Sequence, residues 1–377
     1  MAPARIFYLI SSLTQGGAER HLLELIRLLP PERFEPTICV LRPVVHYRAE
    51  TPPGQPAYSL GRFWFLPTSF ARLVTALRDC RPDLIHCYLN DGNLWGRLAS
   101  QLAPSARLIT SVHLDDMSGF YRRAERLLWP LSDQVVAHSE SIRRLLVGEL
   151  GLPGERVRVI ANGVDTARFR PPSPAERAEA RRTYDLGEDD FMALMPARIC
   201  DQKNQLGVIE ALAALRAQRR LPPSFRLFLA GRVSSRRVLE TLRYKLWRHD
   251  LGGQVQWLGP VAEMQRLLWA TDLGLLPSRT EASPIAALEA MASGLPMLIT
   301  EPSNTDGVVI PGAHGWELPS ENTAALAEAL AEAIRAPREL RHAMGERGRA
   351  HVTQAFSAER VAGDFVRLYD ELLGGPT

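Results

Sequence analysis

Short apolar runs alternate with helical patterns along this chain of 377 residues, and this alternation constrains the fold more than any other feature. One series of apolar runs predicts strands at residues 6–10, 37–41, 84–87, 107–112, 134–137 and 157–160. A second series predicts strands at residues 191–196, 225–230, 255–258, 273–276 and 296–299. Strands that alternate with helices form parallel sheets with crossover connections. The chain is therefore predicted to be an α/β protein with two doubly wound domains.

A proline cluster separates the two series. Pro171, Pro172 and Pro174 exclude a helix interior or a central strand at this point. We therefore predict a first domain at residues 1–170 and a second at 171–356. Helical patterns fill the rest of the chain from about residue 323 to 373, with breaks near Pro337 and Ser357. The last segment, residues 357–377, is predicted to be a helix that packs on the first domain.

The composition is that of a globular protein, with 46% apolar and 23% charged residues. No run of apolar residues is long enough to span a membrane. The first residues lack the basic start of a secretory signal and predict a strand instead. The four cysteines have no metal-binding or redox spacing, which indicates reduced thiols and a cytoplasmic protein. Residues 1–170 contain 21 arginines against 16 acidic residues, an excess too small to indicate nucleic-acid binding.

The segment at residues 277–300 predicts a site for an elongated polar ligand. Ser283 suits the N-cap of a helix and Pro284 its first position, and the helix is predicted to run to about Ser293. The first free N–H groups of this helix, at Ile285 and Ala286, suit a phosphate. Glu281 precedes this helix end, and Glu289 is expected roughly 8–12 Å further along. The alternative is an amphipathic helix with two solvated glutamates.

This segment resembles the E-x7-E signature of the GT-B glycosyltransferases, in particular the retaining enzymes of family 4. The resemblance implies two Rossmann-like domains that face a cleft, with the last helix crossing back to the first domain. It also implies that Glu281 contacts the donor sugar and that Glu289 contacts the ribose. The family usually has Glu-Gly-Phe-Pro or Glu-Gly-Phe-Gly where this chain has Glu-Ala-Ser-Pro. The lost Phe alters the wall near the sugar, so the donor is left open.

Two further motifs fit the same resemblance. Gly16 and Gly17 stand between the first strand and the first helix, where glycines let the backbone approach a phosphate. In the family a similar loop lies under the donor diphosphate; the alternative here is a tight turn. Arg198 and Lys203 follow a predicted strand and offer two cations to one anion. The matching pair in the family holds the leaving diphosphate, whereas the alternative here is a solvated surface pair.

His113 ends the predicted strand at residues 107–112. The resemblance places it beside the reacting carbon of the donor, and a satisfied structural histidine is the alternative. Asp115 and Asp116 follow directly, and an acidic pair binds metal in glycosyltransferases of another fold. Those enzymes lack a second Rossmann-like half, which this chain is predicted to have. We therefore expect no required metal and no cofactor, since the nucleotide-sugar is itself a substrate.

One region differs from the family, and another allows two interpretations. After the strand at residues 296–299 the family has a Gly-Gly pair followed by Glu, whereas this chain has neither, so residues 300–305 are expected to make different contacts. Residues 119–131 mix arginines with aromatic and aliphatic side chains at helical spacing. This pattern is typical of a core helix with a charged outer face or of a helix at a membrane interface.

The sequence thus predicts a retaining hexosyltransferase of bacterial polysaccharide biosynthesis that uses a nucleotide-sugar donor, UDP- or GDP-linked. The catalytic residues are predicted to be His113, Arg198, Lys203 and Glu281. The acceptor is predicted to be a hydroxyl of a glycan, a lipid-linked or a small molecule. The protein is expected in the cytoplasm, with contact to the anionic inner face of the membrane as an open alternative. Other functions left open are an epimerase or hydrolase of nucleotide-sugars and a non-catalytic partner subunit of this fold.

Overall fold

The computed structural model describes residues 2–14, 16–44, 51–55, 57–61, 65–102, 105–113, 117–319 and 322–375. The chain divides into two compact units. The first unit is Met1–Gly163 together with Ala358–Thr377, and the second is Val164–Ser357. The first division falls seven residues before the predicted junction. It does so because Val164 and Phe169 are buried in a core of the second unit.

The described part of the first unit contains one parallel sheet of seven strands. In chain order the strands are β1 (Ala4–Ile10), β2 (Phe34–Val40), β3 (Tyr58–Ser59), β4 (Leu84–Tyr88), β5 (Arg107–Val112), β6 (Gln134–Ala137) and β7 (Val157–Val159). Their order across the sheet is β3-β2-β1-β4-β5-β6-β7. The helices between them are α1 (Gly17–Leu28), α2 (Pro67–Cys80), α3 (Leu89–Ser100), α4 (Gly119–Leu128) and α5 (Glu140–Arg144).

The second unit contains a parallel sheet of six strands in its described residues. These are β8 (Phe191–Pro196), β9 (Phe225–Ala230), β10 (Val255–Gly259), β11 (Leu273–Leu276), β12 (Met297–Thr300) and β13 (Gly315–Leu318), in the order β10-β9-β8-β11-β12-β13. The helices are α6 (Pro174–Thr183), α7 (Gln205–Ala217), α8 (Arg236–Arg248), α9 (Met264–Ala270), α10 (Ile285–Ala292), α11 (Thr323–Arg335) and α12 (Arg338–Ala355). The alternation of strands and helices predicted from the sequence is confirmed. Both sheets have the strand order of Rossmann-like α/β domains.

Each sheet separates two apolar cores, because successive strand residues point to opposite faces. In β1, Ile6 and Tyr8 pack on one side, while Phe7 and Leu9 pack on the other. Burial on both sides explains why these strands read as continuous apolar runs instead of alternating ones.

The last helix, α13 (Ala358–Leu373), belongs to the first unit. Its Phe365 and Tyr369 are fully buried in the core of that unit. The hydroxyl of Tyr369 lies 3.1 Å from the hydroxyl of Tyr8 and 2.8 Å from Nδ1 of His86. Gly163 lies so close to the backbone of Ala358 that a Cβ there would overlap it. These contacts fix both ends of the helix to the sheet.

Two strands escaped the sequence analysis. β3 has only two residues, and β13 has four residues that contain Gly315 and a half-buried Glu317. Both lie at the edge of a sheet, where burial is incomplete and the apolar signal is weak. Across the residues that the structure describes, none of the helices combines the length and the apolar character that crossing a bilayer requires.

Candidate functional site

The chain order of strands reverses in the second sheet between β8 and β11, which are neighbours. β8 continues outward to β9 and β10, whereas β11 continues in the other direction to β12 and β13. In open α/β sheets, ligands bind outside the carboxyl ends of the strands at such a reversal. The loops that leave β8 and β11 at this edge contain the predicted residues Arg198, Lys203 and Glu281.

Direct contacts join these two loops. The ammonium of Lys203 forms an ion pair with Oε1 of Glu281, and both side chains are largely buried, with 14% and 8% exposure. The hydroxyl of Ser278 donates to the same Oε1 at 2.7 Å. The side chain of Gln202 donates to the carbonyl of Thr280 at 3.0 Å, and the N–H of Arg279 donates to the carbonyl of Gln202 at 2.8 Å. The predicted residues Lys203 and Glu281 are therefore held together in one polar cluster.

Arg198 differs from Lys203 in that its side chain is exposed. Its backbone is fixed, because the side chain of Gln205 donates to its carbonyl oxygen at 2.7 Å. Within the described ranges, the guanidinium of Arg198 makes no ion pair. An exposed and unpaired guanidinium on a fixed backbone is well suited to an anion such as a phosphate.

The helix after Glu281 begins later than predicted. Pro284 takes the N-cap position with ψ of 58°, and no side chain caps the helix, so the prediction that Ser283 is the N-cap is wrong. The helix starts at Ile285 because Pro284 is not in a helical conformation. The N–H of Ile285 donates to the carbonyl of Ser283 at 3.0 Å instead of being free as expected. Ala286 is the second residue of the helix and is half-buried.

Glu289 lies on α10 and is 6% exposed, so the alternative of two solvated glutamates is wrong for both carboxylates. Its carbonyl oxygen accepts a hydrogen bond from the hydroxyl of Ser293 at 2.9 Å. A buried carboxylate on the helix that follows Glu281 is expensive without partners. The side chain of Glu289 is therefore held inside the second unit.

The residues that replace the expected Gly-Gly pair support the same cluster. The hydroxyls of Thr300 and Ser303 both donate to the carbonyl of Ser278, and the two hydroxyls lie 2.7 Å apart. Both residues are buried. Their contact is therefore with the loop that carries Glu281. They fix the backbone of Ser278, whose side chain in turn binds Glu281.

In the first unit, Gly16 is the N-cap of α1 and Gly17 is its first residue. A Cβ at position 16 would overlap the carboxylate of Glu19, which is buried and accepts a hydrogen bond from the Thr14 hydroxyl at 2.8 Å. A glycine at position 16 is therefore needed to let Glu19 fold back over the start of the helix. The structure thus gives Gly16 a packing role, and its predicted contact with a diphosphate stays a prediction.

His113 lies directly after β5 and is buried among other rings. Its ring stacks on the ring of His138, which follows β6, with centroids 3.7 Å apart. The rings of Tyr88 and His21 lie 5.2 Å and 5.8 Å away. Neither Asp115 nor Asp116 belongs to the described residues. His113 is thus part of a cluster of histidines, which the sequence analysis did not predict.

Burial makes these histidines poor bases. It lowers the pKa of His21 to about 4, and it is the main reason why the pKa values of His113 and His138 lie well below their usual range. Neighbouring histidines lower the pKa values of His113 and His138 further. These shifts favour the neutral form of all three rings at pH 7, in which His113 is poorly suited to act as a general acid. This weakens the alternative of an epimerase, for which His113 is the candidate acid or base.

Three residues of these clusters were missed in the sequence. Ser278 stands three residues before Glu281, and its position directly after β11 is the signal that was available. His138 follows a strand in the same way as His113, so the two positions are equivalent in neighbouring strands. His21 lies within α1, and nothing in the helical pattern distinguishes it from an ordinary core residue.

Comparisons with known proteins agree with this fold. The family model "Glycosyltransferase Family 4" matches residues 15–168, and "Glycosyl transferases group 1" matches residues 176–351. A GDP-mannose-dependent α-(1-6)-phosphatidylinositol monomannoside mannosyltransferase of Mycobacterium tuberculosis is 30% identical over 286 residues, which is 71% of each chain. EpsD of Bacillus subtilis, named as a glycosyltransferase, is 27% identical over 297 residues, or 76% of each chain.

A solved structure has the same fold. The crystal structure of Anabaena HepE in complex with UDP and glucose covers 98% of this chain and 100% of its own, with a TM-score of 0.84. Its sequence is 20% identical. At that identity the likeness shows the fold alone, which is GT-B.

Proposed function

Because this chain belongs to the group 1 glycosyltransferases of family 4, we propose that it transfers a hexose from a UDP- or GDP-linked donor, with retained configuration, to a hydroxyl of a glycan, a lipid-linked or a small molecule. The observation that carries the proposal is the buried Lys203–Glu281 ion pair where the chain order of strands reverses. That edge is the usual ligand site of such sheets.

The charges at this edge suit the chemistry of the donor. When the sugar–phosphate bond breaks, negative charge develops on the departing diphosphate, and donors already in position stabilise it. Lys203 and the unpaired Arg198 are assigned this role. Glu281 accepts hydrogen bonds from hydroxyls of the sugar, and Glu289 from hydroxyls of the ribose. The ion pair holds Lys203 and Glu281 in place before the donor arrives, which limits the reorganisation that binding requires.

Other predicted residues are assigned to the donor separately in each unit. Ser283 and Ala286 stand at the start of α10, where backbone amides favour a phosphate. Gly16 and Gly17 are assigned to the diphosphate, and His113 to the reacting carbon, by resemblance to the family. In that family the leaving phosphate is thought to accept the proton of the acceptor, so no separate base is needed. The lowered pKa of His113 makes it a weak base, which agrees with this expectation.

Two donors are the first to test. The mycobacterial relative is named for GDP-mannose, and the HepE structure is a complex with UDP and glucose. The Ala282-Ser283 pair replaces the Gly-Phe of the family beside Glu281, so the sugar pocket differs from that of the usual members. Both the base and the sugar therefore have to be determined by experiment.

Isothermal calorimetry with UDP, GDP and ADP tests the proposal. We expect one of the first two to bind the full chain and to bind more weakly in the Lys203→Ala variant. Lys245→Ala is the matched control, because Lys245 is the only other lysine and pairs with Glu210 on the surface. Absence of affinity for all three nucleotides in well-folded protein would refute the proposal. Transfer of sugar by the purified chain alone would exclude a non-catalytic subunit.

We also propose that α4 contacts an anionic membrane from the cytoplasm. The buried face of this helix is polar, since Glu125 pairs with the buried Arg97. Its outer face carries Phe120 and Leu127, which are 64% and 74% exposed, beside the exposed Arg123. Apolar side chains flanked by arginines suit an interface of anionic lipid.

Sedimentation with vesicles tests this contact. We expect the full chain to bind vesicles that contain anionic lipid and to bind neutral vesicles weakly. The double variant Phe120→Ser/Leu127→Ser should lose the binding. Leu340→Ser is the matched control, because Leu340 is an exposed leucine on a helix of the second unit. Binding that ignores lipid charge would reject the membrane interpretation.

A further inference from the structure

Three histidines from separate elements of the first unit meet inside it. His21 comes from the middle of α1, while His113 and His138 follow the neighbouring strands β5 and β6. They are 6%, 8% and 0% exposed. One nitrogen of each can be chosen so that all three lie within 4.8 Å of one another. Convergence of three ligand-type side chains in a buried place is unusual for residues that serve only to fill a core.

Several ring nitrogens of this cluster lack partners. Both nitrogens of His21 and Nε2 of His113 have no hydrogen bond within the part of the chain that the structure describes, whereas His138 lies next to the backbone of Ile160. His86, which is equally buried in the same unit, shows the ordinary arrangement: one nitrogen lies 2.8 Å from the Tyr369 hydroxyl and the other 2.8 Å from the Ser111 hydroxyl. Buried polar atoms without partners are costly and rare, and each demands an explanation.

We propose that His21, His113 and His138 together bind one zinc ion. Imidazole nitrogen is a preferred ligand of zinc, and three histidines with a fourth open position form a known type of zinc site. The ion would satisfy one nitrogen on each ring at once. A water molecule provides the fourth ligand, as in zinc sites with three protein ligands.

The geometry is close to a zinc site without matching it. Zinc–nitrogen bonds are about 2.0–2.1 Å long, so tetrahedral ligands lie about 3.4 Å from one another. The nitrogens here lie within 4.8 Å, and the rings of His113 and His138 are stacked at 22°. Binding therefore requires the side chains to rotate until the nitrogens lie up to about 1.4 Å closer together. The competing explanation is that the stacked rings simply pack as flat, weakly polar groups.

The ion is assigned no step in sugar transfer. It ties α1 to the strand ends, and His113 is the one residue that it shares with the residues assigned to the donor. The inference thus goes beyond the proposed function, and its tests measure metal binding. The expectation that transfer needs no metal is a separate prediction.

Metal binding by the unmodified full chain is the first test. Purified protein is dialysed against zinc and then against metal-free buffer. We expect it to retain about one zinc ion per chain, measured by inductively coupled plasma mass spectrometry. Cobalt substituted for zinc should give the visible absorption of a four-coordinate nitrogen site. Failure to retain zinc together with a featureless cobalt spectrum would overturn the proposal. This test does not depend on any variant folding correctly.

Variants locate the site. His138→Phe keeps a flat ring next to His113 and removes two ligand nitrogens, so it is expected to fold. Zinc should raise the melting temperature of the unmodified chain, because a ligand that binds only the folded state stabilises it, and the rise should vanish in His138→Phe. His342→Phe is the matched control, since His342 is exposed on α12, and it should keep the full zinc response. A zinc response that persists in both His138→Phe and His21→Phe would reject this site.

Discussion

The two units each bury a polar cluster at the carboxyl ends of parallel strands, and the clusters differ in how their polar atoms are satisfied. In the second unit, Lys203, Glu281 and Ser278 satisfy one another through an ion pair and a hydrogen bond. In the first unit, both nitrogens of His21 and Nε2 of His113 have no partner within the described residues. The cluster of the second unit is charged, and its members pair with one another. The cluster of the first unit is neutral and includes ring nitrogens without partners.

The two clusters show two arrangements that buried polar groups adopt before a ligand binds. A paired cluster is stable alone, and a ligand has to exchange its contacts for existing ones. An unpaired cluster carries the cost of desolvation until a ligand arrives. The first unit does satisfy buried charge elsewhere, because Arg97 makes hydrogen bonds to Glu125, Ser132 and Thr110. The lack of partners at the histidines is therefore a local property.

Arg97→Met should have the largest effect on stability. Both members of its ion pair are buried, with 1% and 5% exposure, so the substitution leaves Glu125 as an uncompensated charge. We expect a loss of about 3–5 kcal/mol in the free energy of unfolding, measured with urea. Arg107→Met removes an exposed pair with Asp133 in the same unit and should cost less than about 1 kcal/mol. Equal losses would show that burial does not distinguish the two pairs.

Acid should destabilise the histidine cluster next. The pKa of His21 is about 4 in the folded chain against an ordinary value of 6.5, so the unfolded chain binds more protons between these pH values. The stabilisation is present above pH 6.5 and is lost as the pH falls toward 4. For His21 alone this amounts to about 3 kcal/mol.

Urea unfolding at a series of pH values, with a chelator present, checks this prediction. His21→Phe should flatten the dependence of stability on pH between 6.5 and 4. His342→Phe, a change on the surface, should leave the dependence as it is. An unchanged slope in His21→Phe would mean that the cluster is hydrated and already satisfied by water.

Lys203→Ala should reduce turnover by about a hundredfold or more, which is the size expected for a lost donor to the transition state. Glu281→Ala should have a similar effect, because it removes the other member of the pair. The rate of sugar transfer with a saturating donor measures both effects. Lys245→Ala should retain normal turnover. Near-normal rates in Lys203→Ala would show that the Lys203–Glu281 cluster has no role in sugar transfer.

Ser278→Ala should have the smallest effect of the four. It removes one hydrogen bond to a carboxylate that still has Lys203 as a partner, so we expect a loss of about 1.5 kcal/mol in the free energy of unfolding. Ser234→Ala, at an exposed position in the same unit, should be close to neutral. A negligible loss at Ser278 would show that the ion pair alone holds Glu281.

The sequence predicted the strands well where both faces are buried. Strands β5, β6, β8, β9 and β11 have the predicted bounds, because apolar runs between polar turns are unambiguous there. β3 and β13 were missed because β3 has only two residues and because the four residues of β13 include Gly315 and Glu317. The start of α10 was misplaced because Ser283 and Pro284 fit an N-cap and a first helical position equally well by type. Only the backbone angles of Pro284 decide between the two.

Motifs located the charged cluster but not the histidine cluster. Lys203 and Glu281 are 78 residues apart, yet each stands at a recognisable position after a strand. His21 gives no such signal, since a histidine on the buried face of a helix looks like any core residue. Its meeting with His138 depends on how α1 packs across the sheet. A single sequence does not specify that packing.

The position of α13 has a consequence for synthesis. Because the first unit needs Phe365 and Tyr369 to fill its core, it stays incomplete while the ribosome is still making residues 358–377. The second unit, Val164–Ser357, is continuous and emerges whole before them. The half that is translated first is therefore the last to close. A premature stop near residue 357 would leave the core of the first unit incomplete, whereas the second unit would keep all of its residues.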